Sequence, residues 1–140
     1  LVSDAGRLVR TPSFTEWERS MAITIYQYKG CSTCRKAIKW LNEQGLEFTA
    51  IPIVESPPSA AELKRLHGLS GLPLKKFFNT SGQSYRNGDW KSKLTTYDEA
   101  AQMAGLAQDG KLIKRPLLVS GDTVLVGFRE AAWSEALLSS

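Results

Sequence analysis

The chain has 140 residues, of which 42% are hydrophobic and 23% are charged, so it is long enough for one hydrophobic core and rather short for two. Its net charge of +4 is mild and acidic residues are interspersed with basic ones, so it lacks the basic tracts of dedicated nucleic-acid-binding proteins. No apolar run approaches the roughly 18 residues that a membrane-spanning helix needs. We therefore predict a folded domain with no direct nucleic-acid partner and no membrane attachment.

The first twenty residues differ from those that follow. They begin with leucine, carry three basic and three acidic side chains, and lack the apolar core of a signal peptide. Met21 then opens the stretch MAITIYQYKG, which is typical of a protein start. We expect residues 1–20 to be a non-native leader, left by cloning or read out of frame, and residues 21–140 to form a single domain.

The pattern after this point begins with a strand, a helix and a second strand. Alternating β-branched and aromatic residues predict a strand over Ala22–Tyr28, and another is predicted over Leu46–Ile53. Between them lies an amphipathic helix that ends at Gly45. Its predicted apolar face consists of Cys34, Ala37, Ile38 and Leu41. Such a unit predicts two parallel strands joined by a right-handed crossover.

The middle of the chain is predicted to be helical. One helix begins at Ser59, which stands with Glu62 in the spacing of a capping box, and a short helical turn closes at Asn79–Gly82. A further helix is predicted to have Thr95 or Thr96 as its N-cap.

The last part of the chain predicts a hairpin and a closing helix. Strands over Leu117–Ser120 and Thr123–Val126 are joined by a Gly-Asp turn. The residues of the closing helix that are available for packing are Ala132, Trp133, Ala136 and Leu137. The whole order predicts an α/β fold with a four-stranded mixed sheet, flanking helices and a helical section between a βαβ half and a ββα half. With a CxxC at the first strand-to-helix turn, this is the architecture of the thioredoxin superfamily.

Cys31 and Cys34 are the two cysteines of the chain, and they stand at the predicted start of the first helix. So few cysteines, so closely spaced, favour a cytoplasmic protein in which the pair serves chemistry rather than stability. Backbone N–H groups at the helix N-terminus, with Lys29, Arg35 and Lys36 nearby, are expected to lower the pKa of Cys31. We expect Cys31 to attack and Cys34, on the apolar face, to resolve a mixed disulfide. The alternative is that both are small residues at a helix start with no role.

Two other cysteine chemistries lack the residues that they need. A structural zinc site takes four ligands, and His67 is the single histidine that the sequence adds, so no metal is expected. A loop of the tyrosine-phosphatase type needs an arginine six residues after its cysteine, where Ala37 and Trp40 stand instead.

The dipeptide Arg115–Pro116 opens the strand that follows the helical section. Such a proline can be cis, and in this architecture it would lie against the cysteine pair. Arg115 would then face the thiolate or hold an incoming anion in a forked geometry. A surface arginine before an edge-strand proline is the alternative, and the sequence leaves both open.

Five segments of the chain carry a resemblance to a known family. They are ITIYQYKGCSTCRKA, PPSAAELKRL, LKKFFNTSGQSYR, LIKRPLLV and VLVGF. Together they resemble the ArsC/Spx family, named for arsenate reductases and the regulator Spx, and most closely its arsenate reductase-like bacterial proteins. The resemblance implies a thioredoxin-like fold with a helical insertion over Glu55–Lys114. It also implies that Cys31 is the nucleophile, that Arg115 belongs to the family's Arg-Pro motif, and that glutathione or glutaredoxin supplies electrons without a bound cofactor.

Two of the three arginines that hold the oxyanion in arsenate reductases of this class find no match, since their positions fall near Asn79 and Gly127. Losing two charge-assisted hydrogen bonds costs on the order of several kcal/mol. We therefore expect a small thiol or disulfide as substrate, with an oxyanion as the weaker candidate, and the retained Cys34 favours dithiol–disulfide chemistry. Further residues expected around the substrate are Ser32, Thr33, Asn79, Thr80, Ser81 and Pro116.

The Spx side of the resemblance implies a second function. Spx regulators use their cysteine pair as a redox switch and bind the C-terminal domain of the RNA polymerase α-subunit. Phe77 and Phe78 are candidates for an exposed protein-binding patch, but an apolar pair in a helical turn more often belongs to the core. The sequence therefore leaves open an enzyme, a redox-sensing regulator and a degenerate family member that merely keeps the fold.

Overall fold

The computed structural model describes residues 22–138 of the chain, and the predicted leader over residues 1–20 lies outside the described residues. The strands are β1 (Ile23–Gln27), β2 (Thr49–Pro52), β3 (Leu117–Ser120) and β4 (Thr123–Val126). The α-helices are α1 (Ser32–Glu43), α2 (Ala60–Ser70), α3 (Gln83–Asn87), α4 (Trp90–Lys93), α5 (Glu99–Gln108) and α6 (Glu130–Leu138). Short 3₁₀ helices cover Leu74–Phe77 and Gly110–Leu112.

The strands form one mixed sheet in the order β2-β1-β3-β4. β1 and β2 are parallel, with Ile25 opposite Ala50, while β3 runs antiparallel to both β1 and β4. α1 connects the two parallel strands, and α2 to α5 lie in the chain between β2 and β3. The predicted βαβ unit, the four-stranded mixed sheet and the helical insertion are therefore confirmed.

An apolar stripe and a well-defined end hold α1 in place. Its buried residues are Cys34, Ala37, Trp40 and Leu41, and Ile38 packs half-buried beside them. Gly45 adopts φ +70° and its N–H donates to the Asn42 carbonyl at 3.1 Å, while the Leu46 N–H donates to the Leu41 carbonyl at 3.1 Å. These two hydrogen bonds form a Schellman motif, so the helix ends at the predicted glycine.

Two apolar clusters cover the two faces of the sheet. Leu118 packs with α1 and α6, whereas its neighbours Leu117 and Val119 pack with the insertion. Because successive side chains of a strand point to opposite faces, helices lie on both sides of β3. Phe77 and Phe78 are 0% and 2% exposed within the insertion cluster. They belong to the core, which is the more frequent placement of such a pair, and do not form an exposed patch.

The insertion departs most from the predicted boundaries, because α3 and α4 are short helices that the sequence pattern does not indicate. The N-cap of α5 is Asp98, whose Oδ1 accepts a hydrogen bond from the Ala101 N–H at 2.8 Å, so the predicted caps Thr95 and Thr96 are wrong. The Thr95 hydroxyl instead donates to the Ser92 carbonyl at 2.6 Å, in the turn that follows α4.

Two further helix predictions are confirmed only in part. Ser59 caps α2 by accepting a hydrogen bond from the Glu62 N–H at 3.1 Å, but the Glu62 carboxylate pairs with Arg65 at 2.7 Å. In α6, Trp133 is buried as predicted, whereas Ala136 is exposed and does not serve the packing predicted for it. Of the helices within residues 22–138, none is long and apolar enough to cross a membrane.

The cap of α5 provides a test of this arrangement. We expect Asp98→Ala to lower the free energy of unfolding by about 1 kcal/mol, because the Ala101 N–H loses its acceptor. Urea denaturation followed by circular dichroism measures the change. The matched control is Thr96→Ala, expected to change the free energy by less than about 0.5 kcal/mol. A larger loss in the threonine variant than in the aspartate variant would contradict the assignment.

Candidate functional site

Cys31 is the N-cap of α1, and its sulfur takes part in the cap. The Sγ atom accepts a hydrogen bond from the Cys34 N–H at 3.4 Å. The Cys31 N–H donates to the Tyr28 carbonyl at 3.0 Å, which fixes the turn between β1 and α1. Cys31 is half-buried, whereas Cys34 is 1% exposed. The structure therefore brings the two thiols together with Cys31 on the accessible side, and both are free.

The surroundings of the two thiols move their pKa values in opposite directions. Burial raises the pKa of Cys31, but hydrogen bonds from the Cys34 amide and thiol, the charge of Arg115 and the Thr33 amide outweigh it, so the pKa lies below its ordinary value. Burial, together with the hydrogen bond and charge of Cys31, raises the pKa of Cys34 to about 12. Cys31 is therefore the thiol that ionises first, while Cys34 keeps its proton.

Arg115 is the cation that acts on this pair. Its peptide bond to the buried Pro116 is cis, and its guanidinium carbon lies 5.0 Å from the centre of the Tyr28 ring. One terminal nitrogen donates to the Lys111 carbonyl at 3.2 Å and to the Ile113 carbonyl at 3.5 Å. The buried Nε atom has no hydrogen-bond partner among the described residues. Backbone carbonyls and an aromatic ring thus hold the guanidinium near the thiols.

The lysines and arginine next to the CxxC in the sequence have other surroundings. Arg35 is exposed and donates to the Lys29 carbonyl at 2.8 Å. The side chain of Lys36 is also exposed. The charge that lowers the pKa of Cys31 is that of Arg115, which stands far from it in the sequence.

Tyr28 is a site residue that the sequence interpretation missed. Besides Arg115, the Lys111 Nζ atom lies 6.0 Å from the ring centre, so the ring faces two cations. A Cβ atom at Gly30 would come within 2.8 Å of the ring, so glycine is needed for the ring to lie over the turn. An aromatic residue directly before a Gly-Cys turn is the sequence signal that could have identified it.

A cleft of about 880 Å³ extends from the site along β4. Three of the predicted site residues line it, namely Thr33, Thr80 and Arg115. Four other basic side chains also line it and were not predicted, namely Lys75, Lys76, Lys114 and Arg129. Sequence reasoning missed them because they come from separate segments that only the fold brings together. No residue that lines the described cleft is acidic.

The remaining predicted residues are placed differently. Ser32 is exposed at the start of α1. The Asn79 N–H donates to the Leu112 carbonyl at 2.8 Å, and the Ser81 carbonyl accepts a hydrogen bond from Arg86 at 2.8 Å. These hydrogen bonds use backbone groups of Asn79 and Ser81 and tie their loop to neighbouring segments, and the roles of the two residues at a substrate remain predictions.

His67, the one histidine considered as a metal ligand, packs its ring edge-on against the Phe77 ring at 6.0 Å between centres. Within residues 22–138, no group of three or more His, Cys, Asp or Glu side chains is placed so that it could hold a metal ion.

Comparison with known proteins gives consistent matches. The model of the ArsC family matches residues 26–136. The Bacillus subtilis protein given as Uncharacterized protein YusI is 54% identical over 115 residues, covering 82% of this chain and 98% of that protein. Regulatory protein MgsR of the same organism is 27% identical over 106 residues, covering 76% of this chain and 82% of its own. The crystal structure of a possible arsenate reductase from Streptococcus mutans UA159 has a TM-score of 0.72 and 45% identity, and covers 76% of this chain and 91% of that chain.

The charge of Arg115 should lower the pH at which Cys31 ionises. Because the thiolate is the form that reacts, the rate of alkylation rises with pH and levels off above the pKa. In a Cys34→Ser background, we expect the midpoint for Cys31 to lie at lower pH in the folded protein than in the same protein unfolded in urea. Adding Arg115→Gln should move the folded midpoint to higher pH.

Iodoacetamide labelling followed by mass spectrometry measures these midpoints. The matched control is Arg35→Gln, which removes a nearby exposed cation whose guanidinium contacts the Lys29 carbonyl and should leave the midpoint in place. Equal shifts in the two arginine variants would show that Arg115 has no specific effect.

Proposed function

The chain belongs to the ArsC family, and from this premise we propose that it is a thiol-dependent oxidoreductase that reduces disulfides. The observation that carries the proposal is the difference between two hydrogen-bonded thiols, because the pKa of Cys31 is lowered and that of Cys34 is raised. Like groups whose environments separate their pKa values take different roles in a reaction. Cys31 is the nucleophile and Cys34 is the resolving thiol.

The first step is the attack of the Cys31 thiolate on one sulfur of the substrate disulfide. A bond forms between Cys31 Sγ and that sulfur, the substrate S–S bond breaks, and the other half leaves as a thiolate that takes up a proton. Arg115, whose charge favours the thiolate form of both protein cysteines, also stabilises the thiolate that leaves.

The second step requires Cys34 to lose its proton. In the free protein, burial and then the hydrogen bond and charge of Cys31 raise the pKa of Cys34 to about 12. Once the Cys31 sulfur is part of a mixed disulfide it carries no charge, so that contribution disappears and Cys34 ionises more readily. Cys34 then attacks Cys31 Sγ and displaces the second substrate thiolate. The substrate has gained two electrons, and the protein holds a Cys31–Cys34 disulfide.

A small thiol such as glutathione, or glutaredoxin, restores the protein dithiol. Two reductant thiols are oxidised to one disulfide as the Cys31–Cys34 disulfide returns to two thiols, so the electrons balance. This cycle uses only cysteine sulfurs and has no step that needs a bound cofactor.

An oxyanion is the weaker substrate candidate. A tetrahedral oxyanion needs several charged donors that converge on it. Arg115 is the one arginine retained from the family's set of three, and the other two positions fall near Asn79 and Gly127. We expect arsenate to be reduced much more slowly than a disulfide.

A redox-sensing regulator is the second candidate function, and the similarity to a relative named as a regulatory protein favours it. In that case the Cys31–Cys34 redox state would govern binding to another protein, for which the C-terminal domain of the RNA polymerase α-subunit is the candidate. Such a protein would bind its partner stoichiometrically and would not turn over a substrate.

Turnover of bis(2-hydroxyethyl) disulfide with glutathione tests the enzyme proposal. We expect Cys31→Ser to reduce turnover to background, because no thiolate remains at the accessible position. Treated with the disulfide in the absence of glutathione, Cys34→Ser should still carry out the first step and accumulate one mixed disulfide per chain, since no thiol is present to resolve it.

Mass spectrometry under non-reducing conditions detects the adduct, and Lys64→Gln, on the exposed surface of α2, is the control. Unchanged turnover in Cys31→Ser would disprove the assigned nucleophile. Absence of turnover in the unmodified protein, together with redox-dependent binding of the polymerase domain, would favour the regulator.

A further inference from the structure

We propose that the basic cleft binds an extended, acidic segment of a protein substrate, which lies along the outer edge of β4 and brings its disulfide to Cys31. The proposal rests on the thiol–disulfide function given above and adds the class of substrate. Three features carry it, namely the free edge of β4, the charge of the cleft, and two cleft residues that belong to the surroundings of Cys31.

β4 is the last strand of the sheet on its side, so one of its edges has no neighbouring strand within residues 22–138. All four of its residues are half-buried, whereas all four residues of β3 are buried. The Gly127 N–H donates to the Pro116 carbonyl at 2.8 Å, next to the pairing of Leu117 with Val126. Backbone direction alternates along an antiparallel strand. Leu125 therefore pairs with β3, and the backbone groups of Val124 and Val126 point to the open edge.

The cleft that follows this edge is strongly basic. Its cations are Lys75, Lys76, Lys114, Arg115 and Arg129. None of these side chains forms an ion pair with a carboxylate of residues 22–138, since the one ion pair described there joins Arg65 and Glu62. Cations that line a cleft beside an open strand edge, with no carboxylate partner among the described residues, attract a negatively charged chain and disfavour a basic one.

Apolar side chains line the same cleft as these cations. Leu72, Phe128 and Ala132 line the cleft, and Leu72 is 37% exposed. A bound strand turns alternate side chains to opposite sides, so apolar positions of the segment would meet these residues while acidic positions meet the lysines. This combination of free backbone groups, apolar contacts and charge fits a polypeptide better than a compact small anion, which would use the charge alone.

The cleft also reaches two residues that influence the reacting sulfur. Thr33, two residues after Cys31, lines it, and so does Arg115, whose charge lowers the pKa of Cys31. A segment paired with β4 would therefore share the cleft with Thr33 and Arg115, the two lining residues that belong to the surroundings of Cys31. An open strand edge is otherwise a site of unwanted pairing between proteins, and a charged surround restricts the partners that it accepts.

Binding of fluorescent eight-residue peptides, measured by anisotropy, tests the proposal without relying on turnover. The probe has alternating acidic and apolar residues with serine in place of cysteine, and it is compared with a glutamine-for-glutamate peptide. We expect the acidic probe to bind at least about tenfold more tightly at low salt, and the difference to shrink as salt rises. Equal affinities for the two peptides would overturn the proposal.

The backbone contribution needs a separate probe. We expect the acidic peptide to lose about tenfold in affinity when alternate amides are N-methylated on the side that pairs with β4, since two ladder hydrogen bonds are lost. N-methylation of the other amides is the matched control. Binding that depends on charge but is indifferent to both methylation patterns would overturn strand pairing and identify a site for small polyanions.

Two double variants place the binding in the cleft. Lys75→Glu with Lys76→Glu should weaken the acidic probe at least about tenfold, whereas Lys64→Glu with Lys91→Glu, which changes exposed lysines outside the cleft, should leave it unchanged. Thermal unfolding of each variant checks that it is folded. Equal weakening by both pairs of substitutions would overturn the assignment of the binding site to the cleft. If peptide binding holds but bis(2-hydroxyethyl) disulfide is not reduced, the proposed function fails while the binding site stands.

Discussion

The hydrogen bond from the Cys34 N–H to the Cys31 sulfur, 3.4 Å long, is the interaction on which the rest of the site depends. It makes the reactive side chain the cap of α1, so the start of the helix and the position of the sulfur are fixed by one contact. The same turn places Cys34 inside the core, at 1% exposure. The opposite pKa directions of the two thiols follow from this geometry, because one sulfur accepts backbone hydrogen bonds and the other is buried.

Arg115 joins this helix start to the insertion. Its guanidinium donates to the Lys111 carbonyl and stacks on Tyr28, and the Tyr28 carbonyl in turn accepts the Cys31 N–H. The chain of contacts passes from the last turn of the insertion, through the ring, to the backbone of the nucleophile. The insertion therefore does more than cover one face of the sheet, since it also places the charge that the thiolate needs. Loss of the insertion's packing would displace Arg115 and so raise the pKa of Cys31.

Much of this arrangement could be predicted from the sequence, and the parts that could not share a physical cause. A period of 3.6 residues identifies α1 because this helix buries one face, whereas β3 and β4 are identified as short apolar runs bounded by turn residues. The helix caps are harder to predict, since Thr96 and Asp98 are both good N-cap residues and only the fold decides between them. The charge that acts on Cys31 was predicted partly from Lys29 and Arg35, its neighbours in the chain. The charge comes from Arg115 because the antiparallel pairing of β3 with β1 places the start of β3 beside the end of β1.

The distribution of positive charge explains why the fold and the substrate of a family need not go together. A small dianion is held by donors that converge on one point, and near one of the family's arginine positions stands Gly127, buried at φ +75° with the Lys114 stem across it. A side chain there would be strained, so a long cation cannot simply be restored at that residue. The cations instead stand apart along an 880 Å³ cleft, from Lys75 to Arg129. Separated charges suit a ligand whose own charges are separated, and an extended acidic chain satisfies that condition where a compact oxyanion does not.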